Sequence, residues 1–422
     1  MIGHKRMPSR EGGVEIVVEE LSTRMAAAGH DVTVYNRKGN HVAGYNNVDV
    51  PKGDEYEYKG VHVKSAFTFK MKSLNALVYS YFATKKAIRS KCDVIHFHAE
   101  GPCAMIPMAK KRGKTCVATI HGLDWKRSKW GGIASRYIKY GERMAAEYAD
   151  EIIVLSDSDR KYFKKTYNRK TTLIPNGIDE PVRNDPKVIK LKHALNGNDY
   201  MLFVARIVPE KGVHTLVEAY SKSGIEVPLV IAGGSSHSEE YYKTIKAFAD
   251  KFNDMTSRAR RKARIVMTGF VQGRELEELY TNAALYILPS EIEGMPLSLL
   301  EAMSYGNICL VSDIPENTAV VEQHGYCFTN KDVDSLRDSM RDIIGHLKEI
   351  REDPAYSPET ISSFVLDKYN WDSVVKKTLK VYKTAKVKNA GAAEEREASK
   401  WKAASAAKAS AGDREAQDQE TE

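Results

Sequence analysis

At 422 residues, with 42% hydrophobic and 28% charged side chains, the chain has apolar material for two cores and the composition of an ordinary globular protein. No run approaches the ~18–20 apolar residues that span a bilayer. The opening MIGHKRMPSREGG lacks the apolar stretch of a secretory signal, and five scattered cysteines without a CxxC argue against a disulfide framework or a zinc site. The net charge of +8 is uneven, because residues 1–185 hold 32 Lys and Arg against 21 Asp and Glu. That half therefore suits an anionic partner: phosphate, nucleic acid or an acidic membrane surface.

The elements, in chain order, begin abruptly. Only Met1 and Ile2 precede Gly3, where a doubly wound domain would open with a strand of about five residues. Either most of that strand is missing or the true chain starts upstream of Met1. Gly12-Gly13 then lead into the helix-period stretch IVVEELSTRMAAAG. Strand-like runs follow at 31–35, 61–64, 93–98, 115–121, 151–156 and 171–175, with RYIKYGERMAAEYA among the helical stretches between them. The scheme repeats at 201–206, 227–234, 263–269, 284–290 and 307–313. Continuous apolar strands alternating with helices predict parallel sheets covered on both faces, so the fold class is α/β with two doubly wound domains. The expected limits are 1–183 and 199–365 for the domains, with a linker at 184–198. A final helix at 366–387 starts near Trp371, and 388–422 is too poor in large apolar residues to be more than a disordered or frayed helical tail.

Ligands of such folds sit at the carboxyl ends of the strands, here in the cleft between two domains. The stretch EGMPLSLLE places Glu293 on a loop and Glu301 roughly a turn into a helix whose N-terminus suits an anion. By themselves the two carboxylates read more readily as a solvated helix face, because Glu is common on helices. Arg206 ends a strand and Lys211 follows five residues later, a spacing that suits a diphosphate or a surface pair with Glu210. Gly12-Gly13 and Gly233-Gly234 would let backbone approach a phosphate, or simply turn. His98 and His121 close two strands and would face the cleft, although a histidine at a strand end is more often structural. DSD at 157–159 reads as a helix N-cap, not a metal site.

In this order and spacing, these motifs resemble glycosyltransferase family 4 over about residues 1–386. The paired glutamates Glu293 and Glu301, the following LLEAMSYG, Arg206 with Lys211, the Gly12-Gly13 loop, His121-Gly122, IPNGID at 174–179 and Trp371 with its helix all match. The resemblance implies a GT-B fold: an acceptor-side first domain, a nucleotide-sugar-binding second domain and a last helix crossing back to the first. It implies a retaining transferase moving a hexosyl or deoxyhexosyl unit from a nucleoside diphosphate sugar without metal or other cofactor. Arg206 and Lys211 would neutralise the departing diphosphate. Glu301 would hold the ribose hydroxyls, Glu293 the hydroxyls of the sugar, and His121 the region near the reacting carbon. His98 and Gly294 would border the substrates, and the amides of Leu297 and Ser298 would add to the phosphate site. Val271 and Gln272 fall where the base-contacting loop lies. Pro296 stands where many members carry Gly, so one amide donor is absent there.

GHKRMPSREGG and HGLDWKRSKWGG further resemble members that build bacterial surface polysaccharides, which implies a glycan or lipid-linked acceptor. The expected location is the cytoplasm, peripheral at the inner membrane face through basic segments at 67–91, 110–114 or 125–130. The dispersed basic residues form no nucleic-acid module, so no nucleic-acid partner is expected. The short first strand leaves a second reading: an inactive nucleotide-sugar-binding or partner protein of the same fold.

Overall fold

The computed structural model describes residues 1–39, 42, 53–70, 72–126, 132–235 and 238–419, except for the side chains of 72–74, 396–397 and 400–419. The first domain contains β1 (Thr33–Arg37), β2 (Glu55–Tyr58), β3 (Val61–Ala66), β4 (Val94–His98), β5 (Thr115–Ile120), β6 (Glu151–Val154) and β7 (Thr172–Leu173). β4, β5, β6 and β7 are parallel neighbours, and β1 pairs with β3, which carries antiparallel β2. Met1 and Ile2 join these two groups. The Ile2 amide donates to His96 O at 2.9 Å, His98 N donates to Ile2 O at 2.8 Å, and Tyr35 N donates to Met1 O at 3.2 Å. Two residues thus occupy the position of the expected first strand, and the sheet is continuous across it.

The second domain holds β8 (Met201–Val204), β9 (Leu229–Ala232), β10 (Ile265–Gly269), β11 (Leu285–Leu288), β12 (Cys309–Ser312) and β13 (Tyr326–Phe328). They run β10-β9-β8-β11-β12-β13, every neighbouring pair parallel. The central strands are buried along their whole length, as continuous apolar runs require. β2 and β13 were not expected. β2 is the half-exposed edge sequence EYEY, and β13 has three residues. Both lack the apolar run that marks a buried strand.

The stretch 184–198 carries a short helix, Val188–His193, whose first amides converge on the Glu278 carboxylate of the second domain. The helix Asp157–Tyr167 is capped by Ser156, which accepts from Asp159 N at 3.2 Å. The capping residue is therefore the serine before DSD, and Asp157 and Asp159 lie in the first turn.

The last helix runs from Trp371 to Gln419. Trp371, Val374, Val375, Val381 and Ala385 are buried with Val17, Leu21, Val34, Val117 and Ile174 on one face of the first-domain sheet. Farther along, Tyr382 OH meets His96 Nδ1 at 2.8 Å, and Lys388 pairs with Glu151 at 2.5 Å. The chain crosses between domains at Gly177-Ile178. Ile178 N donates to Tyr369 O at 2.6 Å, and a Cβ on Gly177 would stand 2.5 Å from the Trp371 ring. Only glycine lets the crossing strand lie flat on that indole.

Candidate active site

Parallel strands bring their carboxyl ends to one edge, and that edge carries most of the expected site. In the second domain, Arg206 follows β8, Gly233-Gly234 follow β9, Val271 and Gln272 follow β10, and Glu291–Glu293 follow β11. In the first domain, His98 ends β4 and His121 follows β5 on the neighbouring strand. The two imidazoles share a hydrogen bond, Nδ1 of His98 to Nε2 of His121 at 3.1 Å.

The two domains meet through backbone at this edge. A Cβ on Gly122 would stand 2.8 Å from Gly294 Cα, and one on Gly294 would stand 2.0 Å from the His121 carbonyl oxygen. Real side chains do not fit at such separations. His121-Gly122 and Glu293-Gly294, far apart in sequence, therefore meet backbone to backbone across the cleft. The Gly12-Gly13 loop also reaches the second domain, since Gly13 faces the Leu297 side chain.

Glu293 is in direct contact with the Lys211 ammonium, and both side chains are largely buried. The Arg206 and Lys211 spacing predicts two cations converging on a diphosphate. The structure pairs Lys211 with Glu293 instead. The surface-pair alternative also falls away, because Glu210 is buried with neither carboxylate oxygen hydrogen-bonded among the described residues. An ion pair in a low-dielectric cleft holds two opposite charges that a bound ligand can separate and satisfy individually.

The helix Leu297–Ser304 begins directly after Pro296, and no side chain caps it. The amides of Leu297 and Ser298 donate to no acceptor among the described residues, as expected for the first positions of a helix. Glu301 sits on the same helix, partly buried, and accepts from Tyr280 OH at 3.0 Å. Burial raises its carboxyl above the ordinary range. The Tyr280 hydrogen bond and the Arg10 charge work in the opposite direction. Arg10 belongs to the Gly12-Gly13 loop and is held by Glu20 at 2.9 Å. The first-domain loop thus places a cation opposite the second-domain glutamate. Tyr280 and Arg10 were not foreseen: Tyr280 lies inside a helix remote in sequence, and Arg10 became visible only once the loop was placed.

Three buried first-domain histidines are held toward the neutral form by their surroundings. Burial holds His96 and His98 well below the usual imidazole range, with neighbouring positive groups adding to the effect. His4 is lowered to about 4, chiefly by burial, against the opposing hydrogen bond that it donates to Asn36 Oδ1. Among the described residues no cluster of three His, Cys, Asp or Glu side chains is arranged to hold a metal ion.

This fold, with two Rossmann-like domains closing on a site at facing strand ends, defines the GT-B class. The family model described as Glycosyltransferase Family 4 matches residues 11–180, and that described as Glycosyl transferases group 1 matches residues 187–356. The chain belongs to glycosyltransferase family 4. It is 28% identical over 284 residues, 63% of this chain and 69% of the relative, to a UDP-Gal:alpha-D-GlcNAc-diphosphoundecaprenol alpha-1,3-galactosyltransferase of Escherichia coli. It is also 28% identical over 225 residues to the uncharacterized glycosyltransferase YqgM of Bacillus subtilis; that match takes in 52% of this chain and 58% of the relative's length. Among solved structures, Anabaena Alr3699/HepE in complex with UDP and glucose superposes with a TM-score of 0.73 at 15% identity. That match covers 91% of this chain and 98% of the other.

Proposed function

We propose that this glycosyltransferase moves a hexosyl or deoxyhexosyl unit, with retention and without a metal ion, from a nucleoside diphosphate sugar to a glycan or lipid-linked acceptor in surface-polysaccharide synthesis. The observation that carries the reading is the Lys211–Glu293 pair at the point where His121-Gly122 closes on Gly294. A donor entering there separates the pair. Its diphosphate takes Lys211, Arg206 and the amides of Leu297 and Ser298, and its sugar hydroxyls take Glu293. Charge accumulates on the diphosphate as the sugar leaves, so donors already aimed at that position stabilise the transition state with little reorganisation. Glu301, steadied by Tyr280, receives the ribose hydroxyls, and His121 with His98 lines the acceptor side. The base faces the loop at Val271 and Gln272. With cations and amides at the diphosphate, a divalent ion has no necessary part.

The relative that acts on a diphosphoundecaprenol-linked sugar supports a lipid-linked acceptor. Among the described residues no helix is long and apolar enough to cross a membrane. Contact with an anionic membrane at the cytoplasmic face would fall to the segment 67–91. Phe67 and Phe69 are 45% and 47% exposed and stack edge-to-face at 5.2 Å, beside exposed Lys70 and Tyr81. The segment 110–114 is less suited, because Lys110 is buried in a pair with Asp150 at 2.6 Å and Lys114 is bonded to Ser90 O at 2.7 Å. Of 125–130, residues 127–130 lie outside the described residues.

Purified protein incubated with UDP-, GDP-, dTDP- and ADP-sugars tests this reading. One donor should turn over in excess EDTA, and the product anomer should match the donor's. Arg206→Ala and Glu293→Ala should each lower the rate by about 10²–10³. Unchanged turnover in both variants would show that the site lies elsewhere.

A further inference from the structure

Several cations of limited exposure in this protein are paired with carboxylates: Lys110 with Asp150, Lys211 with Glu293, and Arg24 with Glu20 and Asp179. Lys5 and Arg37 are not. Among the described residues neither has a carboxylate at ion-pair distance, although both are partly buried at the carboxyl edge of the first-domain sheet. The Lys5 carbonyl accepts from Arg37 N at 2.8 Å, so the two residues sit side by side on adjacent strand ends. The Arg37 guanidinium lies 5.1 Å from the Tyr79 ring centre and donates to Asn75 Oδ1 at 3.1 Å, while its Nε is buried without a hydrogen-bond partner. Lys5 is close enough to Arg206, across the cleft, for the two like charges to interact. Glu15 is the opposing buried acid, and it accepts the Lys5 backbone amide at 2.8 Å. One buried carboxylate thus faces two partly buried cations, and an anionic ligand would supply the remaining counter-charge.

The lateral order of the strand ends says which ligand. Arg37 ends β1, Gly3–Lys5 follow the Met1-Ile2 strand, His98 ends β4 and His121 follows β5. Arg37 is therefore two strand spacings, about 10 Å, from His98. That is the reach of one sugar unit along the first-domain wall. We infer that Lys5 and Arg37 form an anion subsite for a phosphate or diphosphate attached to the acceptor sugar. The inference rests on the proposed donor and acceptor sides of the cleft. Two sources share this chemistry, an isoprenyl diphosphate carrying the acceptor sugar and a soluble glycosyl phosphate.

Calorimetric titration separates them. Geranyl diphosphate and glucose 1-phosphate are each titrated into the whole protein, first alone and then saturated with the nucleoside diphosphate that binds it. One of the two probes should bind in both states, and its identity names the source. Lys5→Gln and Arg37→Gln should weaken that probe by about tenfold or more, since each removes one charge-assisted contact. Lys5→Arg should restore binding to within a few-fold, and nucleotide affinity should stay within about twofold in all variants. Binding of neither probe, or equal binding in wild type and variants, would overturn the subsite. Parallel loss of nucleotide and probe would assign Lys5 and Arg37 to the donor diphosphate and overturn it as well. Should no nucleoside diphosphate bind, the donor reading fails on its own, and the nucleotide-free titration still decides the subsite.

Discussion

His4, His96 and His98 crowd the strand ends of the first domain, each buried and each held neutral. In the unfolded chain they protonate near pH 6.5, whereas in the fold His4 does so near 4. Between these values the unfolded state binds more protons, so stability falls as pH drops. His4 alone accounts for about 3 kcal/mol across that window. Glu301, whose carboxyl is raised by burial, has the opposite sign and removes stability as pH rises past the ordinary glutamate range. Thermal unfolding between pH 7 and 4 should therefore show a Tm that falls with acid. His4→Gln, which keeps a donor for Asn36, should flatten that fall. A Tm independent of pH in this range would contradict the neutral cluster.

At the level of elements, the site depends on two glycines that let a strand end and a loop touch. Gly294→Ala places a methyl 2.0 Å from the His121 carbonyl oxygen, inside the first-domain backbone. The domains must move apart, because neither wall is a flexible side chain. We expect Gly294→Ala to lower kcat/KM by about 10² or more, as a misplacement of around 1 Å does, while the second domain stays folded. Kinetics together with circular dichroism would check this, and wild-type kinetics in the variant would refute the closed joint. Much of this arrangement was legible beforehand. Runs such as LYILPS and TCVATIH announce buried parallel strands, and the strand-end rule then puts Arg206, His121 and Glu293 on one edge. Other parts were not legible. EYEY has no apolar run because it is an edge strand. The pairing of Lys211 with Glu293 depends on loop closure. The company of Lys5 and Arg37 depends on a two-residue strand inserting between β1 and β4, which periodicity cannot register. Arg37 did carry one readable signal, its place at the end of the DVTVYNR strand.

For the whole molecule, the last helix links the layers. It leaves the second domain at Lys368–Trp371, covers one face of the first-domain sheet and bonds to His96 through Tyr382. The exposed Phe67, Phe69 and Tyr81 lie on that same first domain, which would hold the acceptor. Cosedimentation with vesicles should therefore rise with the fraction of anionic lipid and fall in Phe67→Ser/Phe69→Ser, by about tenfold for two aromatic anchors. Sedimentation indifferent to lipid charge would count against a membrane role for this face. On this reading Lys211 and Glu301 both grip one bound nucleoside diphosphate, Lys211 at the diphosphate and Glu301 at the ribose. Calorimetry of the preferred nucleoside diphosphate with wild type, Lys211→Ala and Glu301→Ala tests it most directly. The wild type should show one site, weakened by about tenfold or more in each variant, as loss of a charged contact entails. Equal affinity in all three proteins would contradict it.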